Sequence, residues 1–227
     1  MNSTLTTHLN KVGFLAVYPG CMFAGKSRLL IMKLSKKQDL GLKTVYVTHG
    51  DDDRVTKGIN LAVTTHWSCF AKATVAFDCY RTDDLETIYQ DLLQYDVIGI
   101  DEFQFYDSKT IGIVQKIVEV EHKIVYCVGL DVNFRRKEFG HIAKLYPFAD
   151  KYKKIRAKCD YCKNGMKHLV ALNLSPHAAL VPALFTAKIG GDLSIEKEIG
   201  SDDKYIPLCR YHYLEYMHEH LSDITSQ

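Results

Sequence analysis

A complete G-x-x-x-x-G-K-S pattern is formed by Gly20, Cys21, Met22, Phe23, Ala24, Gly25, Lys26 and Ser27. Glycine at positions 20 and 25 lets the backbone curl, so that successive N–H groups can point at one centre. A helix that follows directly adds the positive end of its dipole at the same place. Lys26 can then reach the β- and γ-phosphates of a nucleotide, and the Ser27 hydroxyl can ligate Mg²⁺. The pattern therefore predicts a phosphate-binding loop (P-loop).

The segments on either side of the P-loop are those that it requires. The apolar run 13–18 predicts a buried strand that Pro19 ends. Leucines and a methionine among basic residues predict a helix over 26–40, which stops at Gly41. Strand, loop and helix thus follow one another in the order of a nucleotide-binding fold.

Two acidic residues, Asp101 and Glu102, follow the apolar run 97–100, which predicts a buried strand. Parallel strands present their carboxyl ends to the sheet edge that also carries a P-loop. Asp101 could therefore hold Mg²⁺ through water, and Glu102 could act as general base for a hydroxyl or water. Two solvated acids at a strand end are the alternative explanation.

Further strands are predicted over 43–48 and 123–130, with helices over 83–94 and 108–121. This alternation indicates an α/β fold, with helices flanking a parallel sheet. The alternation ends near residue 150. We therefore expect an ATP-binding P-loop domain over 11–151, a smaller domain over 152–221, and loose tails at 1–10 and 222–227.

Two half-sites with metal-ligand spacing lie in the smaller domain. Cys159 and Cys162 form one, and Cys209 and His212 form the other. Three thiolates and one imidazole make a closed tetrahedral Zn²⁺ site, which is typical of a structural role. The long separation between the half-sites differs from a compact DNA-reading finger, so the ion would tie together the ends of a long loop.

Composition narrows the class of protein. The chain has 227 residues, of which 47% are hydrophobic and 25% charged, as in ordinary globular proteins. A formal charge of +2 gives no general electrostatic reason to expect a nucleic-acid or membrane partner. Seven cysteines, an odd number, argue against a fully paired disulfide framework. Without an apolar span or signal peptide, we expect a cytoplasmic protein.

In combination these motifs resemble the cytosolic-type (type II) thymidine kinases, and the resemblance runs from about residue 13 to 212. The segments that match in order are the P-loop, 52–54, 101–105, 129–135, 139–140, the two half-sites, and between them 185–186 and 199–205. The resemblance implies that ATP phosphorylates the 5′-hydroxyl of thymidine. It further implies a zinc-containing lasso that closes over the nucleoside, a homotetramer, and feedback inhibition by dTTP.

Individual roles follow from the same resemblance. Glu102 would take the proton from the 5′-hydroxyl. ATP and Mg²⁺ would be held by the P-loop together with Asp52, Arg54, Asp101 and Gln104. Thymidine would be bound by Met22, Phe105, Leu130, Phe134, Thr186, Ile199, Gly200 and Tyr205. On the residues alone, Asp52 and Arg54 belong to an ordinary solvated loop, and the aromatic residues to ordinary core packing.

This sequence departs from the family pattern at several points. Cys21 and Ala24 replace the usual proline and a frequent serine of the P-loop, and Ser201 stands where the lasso normally has a second glycine. Additional sequence occupies about 163–182. Three other functions stay open: a kinase for deoxyuridine or another deoxynucleoside, a P-loop ATPase with a zinc nucleic-acid-binding module, and a regulatory protein that binds dTTP without catalysis.

Overall fold

The computed structural model describes residues 12–50, 61–62, 76–164, 181–190 and 204–221. These residues form two compact units. The first unit takes the described residues within Met1–Pro19, Lys26–Gly129 and Gly140–Lys153; the second takes those within Gly20–Gly25, Leu130–Phe139 and Lys154–Gln227. Each unit is therefore discontinuous along the chain. The predicted domain ranges, 11–151 and 152–221, stay a prediction.

The first unit contains one sheet. Its strands are β1 (Phe14–Pro19), β2 (Thr44–Thr48), β3 (Leu61–Ala62), β4 (Ala76–Arg81), β5 (Val97–Ile100), β6 (Ile124–Gly129) and β7 (Lys151–Tyr152). In space their order is β3-β4-β2-β5-β6-β1-β7. β3 pairs antiparallel with β4, and every other neighbouring pair is parallel. The predicted α/β class with a parallel sheet is confirmed.

The helices of this unit are α1 (Lys26–Gln38), α2 (Tyr89–Leu92) and α3 (Lys109–Glu119), with 3₁₀ turns at Leu85–Ile88, Phe103–Phe105 and Ile142–Phe148. Leu30 and Leu34, one turn apart on α1, are fully buried. The helix ends before Gly41, whose φ is 82°. The Leu42 N–H donates to the carbonyl of Lys37 at 3.2 Å, a hydrogen bond that closes such helix ends.

One predicted helix start differs from the structure. The sequence predicts that Asp83 begins a helix, but the residue before the 3₁₀ turn is Asp84, whose side chain accepts the Glu86 N–H at 2.9 Å. The Asp83 carboxylate instead accepts the Gly50 N–H at 2.9 Å. Because that contact uses its side chain, the cap moves one residue along the chain.

The described residues of the second unit include two small sheets, helical residues at 160–164 and a longer helix. β8 (Ala157–Lys158) pairs antiparallel with β9 (Pro182–Ala183), β10 (Phe185–Lys188) pairs antiparallel with β11 (Tyr205–Leu208), and α4 spans Arg210–Leu221. Its buried core includes Cys21, Ala187, Leu208 and Tyr213. Across the described ranges, the helices lack the combination of length and apolar character that a membrane span needs.

Gly99 in β5 sets the distance between the sheet and α1. A β-carbon added there would lie 2.8 Å from Leu30 Cδ1 and 2.9 Å from Leu34 Cδ1. We expect Gly99→Ala to lower the free energy of unfolding by about 1–3 kcal/mol, because an overpacked core must shift. Urea denaturation followed by circular dichroism measures the change.

Gly112→Ala in α3 is the matched control, because an added β-carbon there meets no described atom within 4 Å. Alanine is the better helix former, so this change should stabilise the protein by about 0.5–1 kcal/mol. Equal destabilisation by both substitutions would contradict the packing argument.

Candidate active site

The P-loop connects the end of β1 to the start of α1, which confirms the predicted strand–loop–helix order. Gly25 has a φ of 79°, and Phe23 also adopts a left-handed conformation with a φ of 61°. The Ala24 N–H donates to the Cys21 carbonyl at 3.4 Å. Lys26 begins α1 with only 9% of its surface exposed.

Gly20 is required for a different reason from the one that the sequence suggests. Its φ is not among the positive values found at Gly25, Gly41 and Gly140. A β-carbon at Gly20 would instead lie 2.4 Å from the carbonyl oxygen of Ile155. A close approach of two backbone segments, rather than a curled conformation, thus excludes a side chain here.

Two residues predicted to shape the thymidine pocket are in direct contact within the second unit. The Met22 N–H donates to Thr186 Oγ1 at 3.0 Å, and Thr186 is buried on β10. The neighbouring Cys21 thiol donates to the Ala183 carbonyl at 3.5 Å. Residues of the P-loop are therefore anchored to β9 and β10.

The Asp101 carboxylate lies at the end of β5 and is completely buried. Its Oδ2 accepts the Tyr46 hydroxyl at 2.5 Å, and its Oδ1 accepts the Glu102 N–H at 2.8 Å. Tyr46 lies on the adjacent strand β2, where the sequence shows only a tyrosine within an apolar run. Sequence reasoning did not identify this residue, because strand adjacency cannot be read from the chain order.

Glu102 adopts a left-handed backbone conformation, with φ 51° and ψ 40°. This conformation is unfavourable for a glutamate, and such strain is typical of functional sites. Its Oε2 accepts the Gln104 side-chain N–H at 2.6 Å. Gln104 itself is buried. A β-carbon added at Gly129 would lie only 2.6 Å from Gln104 Oε1. Gln104, which the family resemblance assigns to ATP and Mg²⁺, thus contacts the candidate base, and that assignment stays a prediction.

Phe105 ends the 3₁₀ turn that follows the carboxylate pair and is half-buried. The ring of His49, at the end of the neighbouring strand β2, lies 5.6 Å from its centroid. His49 Nε2 is 3.5 Å from Asp83 Oδ1. Like Tyr46, His49 lies near the carboxyl ends of these strands and was not indicated by the sequence motifs.

Phe134 and Tyr205, both buried, belong to the second unit, as does the half-buried Leu130. The Lys188 ammonium lies 5.4 Å from the centroid of the Phe134 ring, and Lys188 is paired with Tyr205 across β10 and β11. The Tyr213 hydroxyl donates to the Phe134 carbonyl at 2.5 Å. Burial raises the pKa of Tyr213, so the hydroxyl keeps the proton that this bond needs.

The four predicted metal ligands converge in the second unit. His212 Nδ1 lies 3.4 Å from Cys159 Sγ, 3.3 Å from Cys162 Sγ and 3.4 Å from Cys209 Sγ. The Cys162 and Cys209 sulfurs are 3.9 Å apart. Around a tetrahedral ion of the size of zinc, two sulfur ligands should lie about 3.8 Å apart, and a sulfur and a nitrogen ligand about 3.5 Å apart. The donor set and its spacing therefore fit such an ion.

Without a positive charge beside it, the Cys162 thiol of this cluster resists ionisation. Burial and the neighbouring thiols of Cys159 and Cys209 raise the pKa of Cys162 to about 12. The rings of Tyr161 and Tyr211 pack against the His212 ring at centroid distances of 5.5 and 5.2 Å. A metal ion supplies the positive charge that stabilises adjacent thiolates in such a site.

Four predicted site residues lie outside the described ranges, namely Asp52, Arg54, Ile199 and Gly200. Ser201 and most of the additional sequence at 163–182 also lie outside them. Their assignments stay predictions.

Loss of the Tyr46 hydroxyl should expose how strongly the buried Asp101 carboxylate depends on it. We expect Tyr46→Phe to lower the free energy of unfolding by about 1.5–3 kcal/mol, the usual range for a hydrogen bond to a charged group. Urea denaturation measures the change, and Tyr152→Phe, at a largely exposed ring, should have little effect. If the two variants were equally stable, the hydrogen bond to Asp101 would contribute nothing.

Comparison with known proteins agrees with this geometry. The family model described as thymidine kinase matches residues 13–213. A thymidine kinase of Oryza sativa subsp. japonica is 32% identical, over 89% of this chain and 67% of the relative. Thymidine kinase a of Arabidopsis thaliana is 30% identical, over 89% of this chain and 75% of the relative. A thymidine kinase of Choristoneura biennis entomopoxvirus is 28% identical, over 88% of this chain and 95% of the relative. This chain therefore belongs to the thymidine kinase family.

Proposed function

We propose that this protein is an ATP:thymidine 5′-phosphotransferase, which transfers the γ-phosphate of ATP to thymidine and gives dTMP. Such an enzyme would return thymidine to DNA precursor synthesis by salvage. The observation that carries the proposal is the family match over residues 13–213. The P-loop before α1 and the carboxylate pair after β5 are the parts that phosphoryl transfer from ATP requires.

In this proposal Glu102 is the general base. Its Oε2 would take the proton of the 5′-hydroxyl as the oxygen attacks the γ-phosphorus. The Gln104 hydrogen bond fixes the direction of the carboxylate before substrate arrives. Preorganisation of this kind lowers the entropic cost of reaching the reactive geometry.

The phosphates of ATP would lie at the P-loop, with Lys26 as their cation and the N-terminal end of α1 beside them. Mg²⁺ would neutralise developing charge on the transferred phosphoryl group. Ser27 and Asp101 offer the oxygen donors that this ion prefers, and Asp52 and Arg54 are assigned to the same group of contacts. Asp101 would contact the ion through water, and each of its oxygens keeps a lone pair beside the hydrogen bond that it already accepts.

For the nucleoside, we propose the contacts that the family resemblance implies. Phe105 and Phe134 would lie against the thymine ring, where stacking contributes about 1–3 kcal/mol per base in other systems. The 5-methyl group would be surrounded by Met22, Leu130 and Thr186. The backbone around Ile199 and Gly200 would bind the edge of the base, and Tyr205 would contact the sugar. We further propose a homotetramer in the cytoplasm and feedback inhibition by dTTP.

Replacement of the candidate base gives the central test. The protein is incubated with ATP, Mg²⁺ and each of thymidine, deoxyuridine, deoxycytidine, deoxyadenosine and deoxyguanosine, and the nucleotides are separated. We expect dTMP from the wild type and a fall in kcat of about 10²–10⁴-fold in Glu102→Gln, because the amide cannot accept the proton. Glu119→Gln, at an exposed position in α3, is the matched control and should keep full activity.

Two results would count against the proposal. ATP hydrolysis without a phosphorylated nucleoside would mean that the acceptor is wrong. Undiminished dTMP formation by Glu102→Gln would remove this residue from the role of general base while leaving the reaction itself intact.

The Cys/His cluster is proposed to hold a structural Zn²⁺. Metal analysis of the purified protein should find about one zinc per chain, and Cys209→Ser should lose most of it. We expect that variant to bind thymidine poorly while keeping the parallel sheet, as followed by circular dichroism. Cys79→Ser lies outside the cluster and should retain zinc. Full thymidine binding after verified removal of the metal would contradict this role.

A further inference from the structure

A groove of about 350 Å³ in the first unit belongs to none of the functions described above. Its polar lining consists of Tyr18 on β1, Tyr126 on β6, Lys33 and Lys37 on α1, and Lys151 on β7. Phe14 is part of its apolar wall. We call it the lysine groove.

The two tyrosines of the lysine groove line it with their phenol groups, although most of each residue's surface is buried. Tyr18 is 2% exposed and Tyr126 is 5% exposed. Within the described part of the chain, neither hydroxyl makes a hydrogen bond. Burial raises the pKa of both phenols, so each hydroxyl remains a donor. Because both phenols line the groove, their hydroxyls can donate to an acceptor that binds there.

The charges around the groove have the same sign. Burial lowers the pKa of Lys33, and the positive charges of Lys151, Lys36, Lys153 and Lys37 lower it further. No carboxylate is among the groups that shift it. Lys33, Lys37 and Lys151 line one groove, so their charges repel each other, and a bound anion would reduce that repulsion.

We propose that the lysine groove is a binding site for the polyphosphate chain of a small molecule. Its polar side chains offer hydrogen-bond donors, which match phosphate oxygens. Three lysines line the groove and two more lie close to it, more positive charge than a single phosphate needs. A concave site suits a small ligand better than a nucleic acid, which tracks along a basic stripe.

The P-loop also binds phosphates, so the test removes that contribution. Binding of sodium tripolyphosphate without Mg²⁺ is measured by calorimetry on the full chain carrying Lys26→Ala. We expect this protein to bind the anion, and the further pair Lys33→Gln and Lys151→Gln to raise Kd by at least about tenfold. The pair Lys43→Gln and Lys144→Gln removes the same charge from exposed positions and should leave Kd unchanged.

Two additional measurements sharpen the assignment. Replacing both groove tyrosines by phenylalanine removes only the hydroxyls and should raise Kd about threefold to tenfold. ATP distinguishes the sources of the ligand: binding as tight as tripolyphosphate shows that the phosphate chain alone is recognised, and tighter binding shows that a nucleotide is.

If Lys26→Ala does not fold, the wild type is titrated instead, and the groove substitutions should reduce the stoichiometry from two anions to one.

The proposal is overturned if groove and control substitutions change Kd equally, or if the folded Lys26→Ala protein binds no tripolyphosphate. It is also overturned if a single-stranded oligonucleotide binds more tightly than tripolyphosphate and loses its affinity with the groove substitutions. None of these measurements depends on kinase activity, so failure here leaves the proposed reaction untouched.

Discussion

The complete burial of the Asp101 carboxylate is the constraint on which the sheet edge with the proposed general base depends. An ionised carboxylate removed from water costs several kcal/mol unless donors surround it. Tyr46 from β2 and the backbone N–H of Glu102 supply those donors. The second donor fixes the turn after β5, which brings Glu102 within reach of Gln104. Satisfying one buried charge thus also orients the next carboxylate.

In the second unit, α4 connects the Cys/His cluster to the backbone of Phe134. α4 begins at Arg210, between the ligands Cys209 and His212, and Tyr213 is the next residue along. The Tyr213 hydroxyl holds the carbonyl of Phe134. A bound ion that fixes the first turn of α4 therefore also fixes the backbone of a residue proposed to contact the base. This connection explains how a structural metal can affect substrate binding without touching substrate.

Local patterns in the sequence predicted the parts of the structure that depend on local chemistry. The P-loop, the strand before Asp101 and the spacing of the metal ligands each follow from a few adjacent residues, and the described structure agrees with all three. The roles of Tyr46, Gln104 and Tyr213 could not be predicted in this way. Each depends on which strand or loop lies beside it after folding. The requirement for glycine at position 20 likewise arises from Ile155, which is distant in the chain.

The left-handed backbone of Glu102 has a consequence for how this protein would respond to selection. Glycine adopts that conformation without penalty, and asparagine tolerates it better than most residues. Random variants screened only for thermal stability should therefore be enriched in changes at position 102 that relieve the backbone and discard the carboxylate. Glutamate at position 102 costs stability through its backbone conformation, and its carboxylate is the group proposed to act in catalysis. At this one residue, stability and the proposed activity therefore oppose each other.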